Sequence, residues 1–340
     1  MQKVISFGEI LMRLSPPGNL RFDQATSFNA VYGGGEFNAI ASLANFGLKT
    51  EFVTAVPENA LGDCVINTIR SVNVGCENIL RQGDRLGLYF IEMGASVRSS
   101  NVIYDRAESS IAQIGTNNFD WAKIFKGATW FHWSGVTPAI SQEAAGACLE
   151  AVKKASEMGL KISTDLNYRS KLWNYGKEPY DVMPELLQYS NVIIGDIDTA
   201  RFMLKKDKIA PDYKNKDEVK QAFLELMEFL PNLDSIGMVF RESVNASHER
   251  IGGLLYNNNK LYSEKIRDVI PIVDRVGSGD AFMAGLLYGL LEFDENFQKT
   301  IEFATAACIL KHSIFGDVNR VSKEEVINFI DNDGAAKVKR

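Results

Sequence analysis

The sequence predicts an α/β fold in which a doubly wound, mostly parallel sheet carries helices on both faces and a small β-sheet lid grows out of this core. Two observations support the prediction. Apolar, strand-like runs alternate with amphipathic helical stretches through most of the 340 residues, which is typical of a parallel sheet covered by helices. Two segments, 12–31 and 86–106, break this alternation and therefore suit a separate piece of sheet.

The strand and helix signals follow one another along the chain. Strand candidates, each a short apolar run, are residues 4–7, 51–56, 128–133, 160–166, 192–194 and 235–240. The clearest helix is 141–158, where small and apolar residues recur at helical spacing until Gly159 ends the run. Ser322 and Glu325 have the spacing of a capping box, which predicts that the last helix begins there.

The lid is predicted from two pieces of sequence. Residues 12–31 contain Pro16, Pro17 and Gly18 and show little helical pattern, whereas 86–93 and 101–106 resemble two strands joined by a connection containing Gly and Ser. We therefore predict an α/β core formed by residues 1–11, 33–85 and 109–333. The lid comprises 12–32 and 86–108, and residues 334–340 form a C-terminal tail.

Composition excludes several classes of function. The formal net charge is −6, which argues against a nucleic-acid-binding surface because such surfaces are normally basic. No apolar run approaches the roughly 18 residues that span a bilayer, and the sequence enters a strand candidate at once, so neither a membrane partner nor a signal peptide is expected. The four widely spaced cysteines favour free thiols in a reducing compartment, so we expect a cytoplasmic location.

The most informative motif is the segment 274–280. We expect an apolar strand, 269–273, to enter it and a helix over 281–291 to leave it, which places Gly277, Ser278 and Gly279 at a helix N-terminus. Free backbone N–H groups and the helix dipole make such a turn an anion hole. Asp280 lies beside it in the first helical turn, where a carboxylate suits proton abstraction from an attacking hydroxyl. The alternative is an ordinary strand-to-helix turn in which Asp280 only interacts with the helix dipole.

Other phosphate-binding motifs are absent from the sequence. It contains no G-x-x-x-x-G-K-[ST], so a P-loop enzyme is excluded. The dinucleotide-binding fingerprint G-x-G-x-x-G is also incomplete. Gly277 and Gly279 are not followed by the third glycine of this pattern, and Gly33, Gly34 and Gly35 do not complete it either.

The chain resembles the ribokinase-like (PfkB) carbohydrate kinase family. The resemblance is carried by 33–39 with 41–47 as an N-terminal signature, by 274–280 as a C-terminal signature, and by 57–63 between them. It implies a ribokinase-like fold with a β-sheet lid, and an enzyme that transfers the γ-phosphoryl group of ATP to a sugar hydroxyl with Mg²⁺ as cofactor. It also implies that Asp280 is the catalytic base and that Gly277, Ser278 and Gly279 form the anion hole.

Within this family, segments 7–16, 87–90, 104–107, 165–173 and 310–317, together with Arg275, are most similar to kinases of 2-keto-3-deoxygluconate, which phosphorylate its C6 hydroxyl. The resemblance assigns substrate contacts to Gly34, Tyr89, Tyr104, Arg106, Arg169, Asp280 and Asp317. Arginines can pair with the carboxylate of a sugar acid and tyrosines can donate to it. The alternatives are strand aromatics for the two tyrosines, a surface ion pair with Asp105 or Glu108 for Arg106, a surface position for Arg169 and a plain loop residue for Asp317.

The resemblance assigns nucleotide contacts to Asn167, Arg169, Asp196, Arg241, Ser243, Gly277 and Gly279. Two departures from the family pattern fall in this set. Asp196-Ile197-Asp198-Thr199 replaces a family Asn-x-x-Glu, and Asp196 and Asp198 are candidates to contact Mg²⁺ through bound water. Residues 239–245 replace a family Thr-x-Gly-x-x-Gly loop, where Arg241 contacts phosphates or, alternatively, pairs with Glu242 or another acid.

Other functions stay open at this point. A related kinase could act on 2-keto-3-deoxygalactonate, fructose or ribose, although a neutral sugar has little use for two arginines. A non-catalytic sugar-binding protein could use the same scaffold. The lid offers an exposed sheet edge, which is often covered by a second copy of the same chain, so we expect a homo-oligomer formed through the lid.

Overall fold

The computed structural model describes residues 2–206, 211–213 and 215–334. The strands are β1 (Lys3–Phe7), β2 (Leu11–Ser15), β3 (Asn29–Gly33), β4 (Lys49–Val56), β5 (Ile79–Arg81), β6 (Leu88–Glu92), β7 (Asn101–Asp105), β8 (Trp130–Ser134), β9 (Lys161–Asp165), β10 (Val192–Ile194), β11 (Ser235–Asn245), β12 (His248–Asn257) and β13 (Lys260–Val269). The helices are α1 (Gly35–Asn45), α2 (Ala60–Ser71), α3 (Trp121–Ile124), α4 (Gln142–Glu157), α5 (Pro179–Leu187), α6 (Ile197–Met203), α7 (Lys216–Phe229), α8 (Ser278–Glu292), α9 (Phe297–Lys311) and α10 (Lys323–Asp331).

These strands form two sheets. The large sheet has nine strands in the order β13-β12-β11-β10-β9-β8-β1-β4-β5. Its strands pair in parallel from β11 to β5, and only the edge made by β11, β12 and β13 is antiparallel. The chain builds outward in one direction from β1 and in the other from β8, so the sheet is doubly wound as predicted.

Helices cover both faces of the large sheet, and β10 shows this most simply. Its side chains are all buried, but Ile193 joins one apolar cluster with residues of α4, α5 and α7, whereas Val192 and Ile194 join a second cluster with residues of α1, α8 and α9. Alternate side chains of a strand point to opposite faces, so an uninterrupted apolar run is what a sheet buried on both sides requires.

The second sheet, called the small sheet below, has four strands in the order β3-β2-β6-β7. Strands β2 and β6 are parallel, and the two outer pairs are antiparallel. The predicted strand pair at 86–93 and 101–106 is therefore present as β6 and β7. The chain enters the small sheet directly after β1, which places it over the carboxyl ends of the core strands.

The local predictions were mostly confirmed, with one error beside the key motif. The six predicted strands are present, α4 follows its N-cap Ser141, and Ser322 and Glu325 form the expected capping box. The strand predicted over 269–273 is wrong, because β13 ends at Val269 and the chain then loops to Gly277. Pro271 provides the physical reason, since it has no N–H to donate to a neighbouring strand.

The hairpin β12–β13 was missed at the sequence level. Its two-residue turn is Asn258-Asn259, with φ values of 48° and 59°. Positive φ at both central positions defines the turn type that matches strand twist, and Asn favours it, so this pair was a usable signal. In the described part of the chain, no helix combines the length and the apolar character needed to cross a membrane. The predicted tail lies outside the described residues except for Gly334.

Candidate active site

A cavity of about 820 Å³ lies between the small sheet and the carboxyl ends of the core strands. Open α/β sheets bind their ligands at this edge. The cavity brings together most of the predicted site residues: Gly34, Tyr89, Tyr104, Arg106, Asn167, Arg169, Asp196, Arg241, Gly277, Ser278, Gly279, Asp280 and Asp317. The predicted residues Asp198 and Ser243 do not line it.

The N-terminus of α8 forms one wall of this cavity. Gly277 is its N-cap with φ 82°, and a Cβ there would lie 1.8 Å from the carbonyl oxygen of Asp317, so only glycine fits. The amide of Ser278 donates to the carbonyl of Arg275 at 3.2 Å. The described residues offer no acceptor to the amides of Gly277, Gly279 and Asp280. These three N–H groups are therefore the donors available to an anion, and the amide of Asp280 is one that sequence reasoning missed.

Arg241 adds a positive charge at the same helix end. Its Nη2 donates to Ser278 Oγ at 3.0 Å and lies 3.4 Å from the position that a Cβ on residue 279 would occupy. Glu242, the alternative partner suggested by the sequence, pairs instead with Arg250 at 2.8 Å. Arg241 therefore faces the anion-binding turn.

Asp280, the third residue of α8, is held by a side chain from α1. Its Oδ2 accepts from Asn38 Nδ2 at 2.7 Å, and Asn38 Oδ1 in turn accepts from the amide of Gly34 at 3.3 Å. Because the backbone donor occupies the Asn38 oxygen, the Asn38 amide nitrogen must face Asp280. Burial, followed by the negative charge of Asp165, raises the pKa of Asp280 to about 7, while the bond from Asn38 and the charge of Arg169 act in the opposite direction.

Asp165 ends β9 and is the carboxylate of the cavity that acts most strongly on Asp280. Its Oδ1 accepts from the amide of Asn167 at 3.0 Å, and Asn167 adopts a left-handed conformation with φ 36°. Burial raises the pKa of Asp165 to about 6, opposed mainly by Arg169. The negative charge of Asp165 disfavours ionisation of Asp280, which keeps Asp280 basic enough to accept a proton near neutral pH.

Arg106 lies in the opposite wall and is buried, with 6% of its surface exposed. Its Nε donates to Glu9 Oε2 at 2.7 Å, its Nη2 also pairs with Glu9, and Ser109 Oγ donates to the other Glu9 oxygen at 2.6 Å. The alternative of a surface ion pair with Asp105 is wrong, because Asp105 pairs with Arg85 at 2.7 Å. The Arg106 charge is therefore already compensated, by a residue that sequence reasoning did not single out.

Tyr89 and Asp317 form a bonded pair next to Arg106. The Tyr89 hydroxyl donates to Asp317 Oδ2, and Asp317 Oδ1 accepts from Nη1 of the fully buried Arg13 at 2.9 Å. Burial and the neighbouring Asp317 charge raise the pKa of Tyr89 far above its ordinary value, so it remains a hydrogen-bond donor. Tyr104 completes this wall, with its ring centroid 6.3 Å from that of Tyr89.

Arg169 differs from Arg106 in its charge balance. It is exposed to the cavity, and its Nη1 donates to the carbonyl of Tyr168 at 3.1 Å. Among the described residues it forms no salt bridge, although its charge lowers the pKa of both Asp165 and Asp280. Arg169 is thus a cation whose hydrogen-bonding capacity remains largely available in the cavity.

Asp196 and Asp198, the candidates for contact with hydrated Mg²⁺, have different surroundings. Asp196 is exposed in the cavity and caps α6, accepting from the amide and the hydroxyl of Thr199 at 2.7 Å each. Asp198 accepts from the Tyr213 hydroxyl at 3.1 Å, away from the lining. In the described ranges, no group of three His, Cys, Asp or Glu side chains could hold a metal ion.

A buried carboxylate beside an amide-lined helix end suits phosphoryl transfer to the hydroxyl of a small molecule, which is the chemistry of a small-molecule kinase. The sequence model described as "pfkB family carbohydrate kinase" matches residues 1–317, and the chain belongs to that family. It is therefore an ATP-dependent sugar kinase.

Individual relatives agree with this assignment. The crystal structure of a 2-dehydro-3-deoxygluconokinase from Thermotoga maritima is 39% identical, covers 97% of this chain and all of its own, and superposes with a TM-score of 0.92. A 2-dehydro-3-deoxygalactonokinase from Haloferax volcanii is 28% identical over 95% of both chains. A more distant E. coli structure described as a ribokinase II with ATP and Mg²⁺ is 18% identical, covers 98% of this chain and all of its own, and has a TM-score of 0.78, which supports the fold.

Proposed function

We propose that this kinase phosphorylates 2-keto-3-deoxygluconate, also called 2-dehydro-3-deoxygluconate, at its C6 hydroxyl. The observation that carries the proposal is Arg169, a guanidinium without a carboxylate partner among the described residues, in the same cavity as Asp280. A substrate with a carboxylate at one end and a reactive hydroxyl at the other would match these two groups. The name of the Thermotoga maritima relative supports the same substrate.

The chemistry assigned to Asp280 is general-base catalysis. As the C6 oxygen attacks the γ-phosphorus of ATP, its proton passes to the Asp280 carboxylate, and the bond from phosphorus to the bridging oxygen breaks with its electrons going to ADP. Amides of Gly277, Gly279 and Asp280 donate to the phosphoryl oxygens, and Arg241 balances their charge. These donors are held in place before the reaction, so little reorganisation is needed in the transition state.

The acid end of the substrate is assigned to Arg169, Arg106 and Tyr104. Arg169 would pair with the carboxylate, since guanidinium and carboxylate match in a bidentate geometry. Arg106, whose charge Glu9 compensates, would add a directed hydrogen bond rather than net charge. Tyr104 would donate to the carboxylate or the keto oxygen, whereas Tyr89 and Asp317 are bonded to each other and would shape the wall.

We propose that Mg²⁺ enters bound to ATP and is contacted through its water by Asp196, an exposed carboxylate of the same cavity. Mg²⁺ keeps several of its waters in nucleotide sites, so a carboxylate that accepts hydrogen bonds from those waters would be a chemically adequate partner. Asp198, which is bonded to Tyr213, is assigned no contact with the ion. Asn167 and Arg241 would line the path of the phosphates, while Ser243, which donates to Glu249 at 3.2 Å outside the cavity lining, is no longer assigned to the nucleotide.

The second candidate substrate is 2-keto-3-deoxygalactonate, which differs by one hydroxyl inversion. The name of the Haloferax volcanii relative favours it. Both acids would use Arg169 and Asp280 in the same way. The two substrates would therefore differ only in the contact that the inverted hydroxyl, in the middle of the carbon chain, makes with the cavity wall.

The test is an assay of ADP release over 2-keto-3-deoxygluconate, 2-keto-3-deoxygalactonate, fructose and ribose, with product identified by mass. We expect kcat/KM to be highest for the gluconate epimer and very low for both neutral sugars. Preference for fructose or ribose would contradict the sugar-acid assignment, and preference for the galactonate epimer would select the second candidate. Binding without turnover would indicate a non-catalytic sugar-binding protein.

We also propose a homo-oligomer formed through the small sheet. Its outer strands β3 and β7 are edges within the described residues. The apolar side chains of Phe28, directly before β3, and Ile103, in β7, are 42% and 48% exposed. Covering such edges prevents open-ended pairing. Light scattering should give the mass of a dimer or a larger closed assembly, and a monomer at micromolar concentration would contradict the proposal.

A further inference from the structure

Arg13 is a fully buried arginine of β2 whose charge is shared by two carboxylates from other parts of the chain. Its Nη1 donates to Asp274 Oδ2 at 2.7 Å and to Asp317 Oδ1 at 2.9 Å, and its Nη2 lies 3.3 Å from the sulfur of Met93. Both aspartates are buried as well. One guanidinium thus joins the small sheet to the segments that precede and follow α8 and α9.

Asp274, the first partner, shapes the entry to the anion-binding turn. Its Oδ1 accepts from the amide of Val276 at 3.0 Å, and its Oδ2 accepts from the amide of Gly316 at 3.0 Å as well as from Arg13. This carboxylate therefore sets the path of the backbone immediately before Gly277. Any movement of Arg13 would be transmitted to the turn through it.

Asp317, the second partner, meets the turn from the other side. Its carbonyl oxygen lies against Gly277, so closely that no Cβ would fit between them, and its carboxylate accepts from the Tyr89 hydroxyl. Tyr89 belongs to β6 of the small sheet. The chain of contacts from β6 through Asp317 to Gly277 is closed into a ring by Arg13, which bonds both aspartates.

A second basic side chain, Lys311, is buried beside this cluster. Its Nζ donates to the carbonyl of Ile314 at 3.0 Å and lies 3.5 Å from the carbonyl of Asp274. One guanidinium and two carboxylates are thus enclosed, next to Lys311, whose pKa is lowered by burial. Buried ion pairs are often no more stabilising than apolar residues of the same volume, so stability alone is a poor reason for this arrangement. Orientation of the surrounding backbone is the better explanation.

We propose that Arg13 is a positioning residue for phosphoryl transfer, which acts through Asp274 and Asp317 to hold the small sheet and the 274–280 turn in one fixed relation. Arg13 is absent from the cavity lining, so it touches neither substrate. With Arg13 in place, the small-sheet wall of the cavity stays at a fixed distance from the backbone amides at the start of α8, as phosphoryl transfer between the two substrates requires. The inference rests on the proposed role of that turn.

The main variant is Arg13→Lys, which keeps the charge but offers one compact ammonium on a differently shaped side chain and cannot reproduce the guanidinium geometry. We expect a folded protein whose kcat falls by about 10²-fold, the scale that a misplacement of about 1 Å can cause, with much smaller changes in KM for sugar and ATP. Arg13→Ala should be slower still and should regain part of its kcat when guanidinium ion is added. Hydrogen exchange at 274–280 should accelerate in both variants.

Arg98→Ala is the matched control, because Arg98 also belongs to the small-sheet region but its side chain pairs with Glu92 at 2.8 Å and with the Asn19 carbonyl, and bonds no described residue of 274–280. It should leave kcat and the exchange of 274–280 unchanged. If Arg13→Lys loses thermal stability but keeps the wild-type kcat and exchange rate, the residue is merely structural and the proposal is overturned. If the wild-type protein phosphorylates no sugar, the proposed function fails. Hydrogen exchange at 274–280 then tests the positioning role by itself: faster exchange in Arg13→Lys than in the wild type would support it, and unchanged exchange would overturn it.

Discussion

The pH dependence of the reaction is the most direct test of Asp280, because a general base works only when deprotonated. With a pKa of about 7, the carboxylate is deprotonated in about 9% of molecules at pH 6 and about 91% at pH 8. We therefore expect kcat/KM to rise about tenfold between these values. An aspartate with an ordinary pKa of about 3.9 would leave the rate flat over this range. Burial disfavours the charged form of Asp280 and so raises its pKa. Activity is therefore expected to fall as the pH falls through 7, because Asp280 then becomes protonated.

The assay follows ADP release with coupling enzymes in excess at every pH. The terminal phosphate of ATP also titrates near pH 6, so a rise of kcat/KM with pH could come from ATP or from Asp280. A matched variant is needed to assign this acidic limb of the pH profile to one of them. Asp165→Asn removes the negative neighbour that helps raise the pKa of Asp280, so the limb should move to lower pH, whereas a limb due to ATP would not move. A flat wild-type profile, or a limb unaffected by Asp165→Asn, would refute this account of the base.

Three further predictions concern the turn and the acid end of the cavity. Asp280→Asn should keep the fold and ATP binding but lower kcat by about 10²–10⁴-fold, and near-normal turnover would exclude it as the base. Gly277→Ala should lower kcat/KM by about 10²-fold or more because its Cβ would meet the Asp317 carbonyl at 1.8 Å, whereas Gly279→Ala, which meets only the Arg241 side chain at 3.4 Å, should cost much less; equal effects in the same assay would contradict this turn geometry. Arg169→Ala should lose a charge-assisted bond of about 1.5–3 kcal/mol, roughly ten- to a hundredfold in kcat/KM for the acid, and much less for a neutral analogue with a hydroxymethyl group in place of the carboxylate. Equal losses for both compounds would show that Arg169 is structural or serves ATP.

Local patterns predicted the fold well and its edge poorly. The run at β10 and the spacing of α4 are periodic signals that hold within a few residues, and tertiary packing reinforced them. The strand predicted over 269–273 was wrong because the four apolar residues around Pro271 look like a strand when their neighbours are unknown. The Asn258-Asn259 turn shows that a hairpin signal was present and was not used.

For the chemistry of the site, too, local features could be predicted from the sequence, whereas long-range contacts could not. The sequence by itself determined that Gly277 and Gly279 flank Ser278 at a helix start with Asp280 in the first turn, because glycine tolerance and helix geometry are local properties. Only the tertiary structure decided which side chains complete those groups. Asn38 meets Asp280 across 242 positions of the chain, and Arg13 meets Asp317 across 304.

Such long-range partners decided the role of each ionisable group. The pairing of Glu9 with Arg106, and the lack of a salt bridge from Arg169 to any described residue, separate two arginines that look alike in the sequence. The pKa of Asp280 follows from burial and from Asp165, and neither can be read from the residues adjacent to it in the chain. The physical reason is that solvent exclusion and charge proximity depend on distances in space, which are set only when the sheet and the helices pack together.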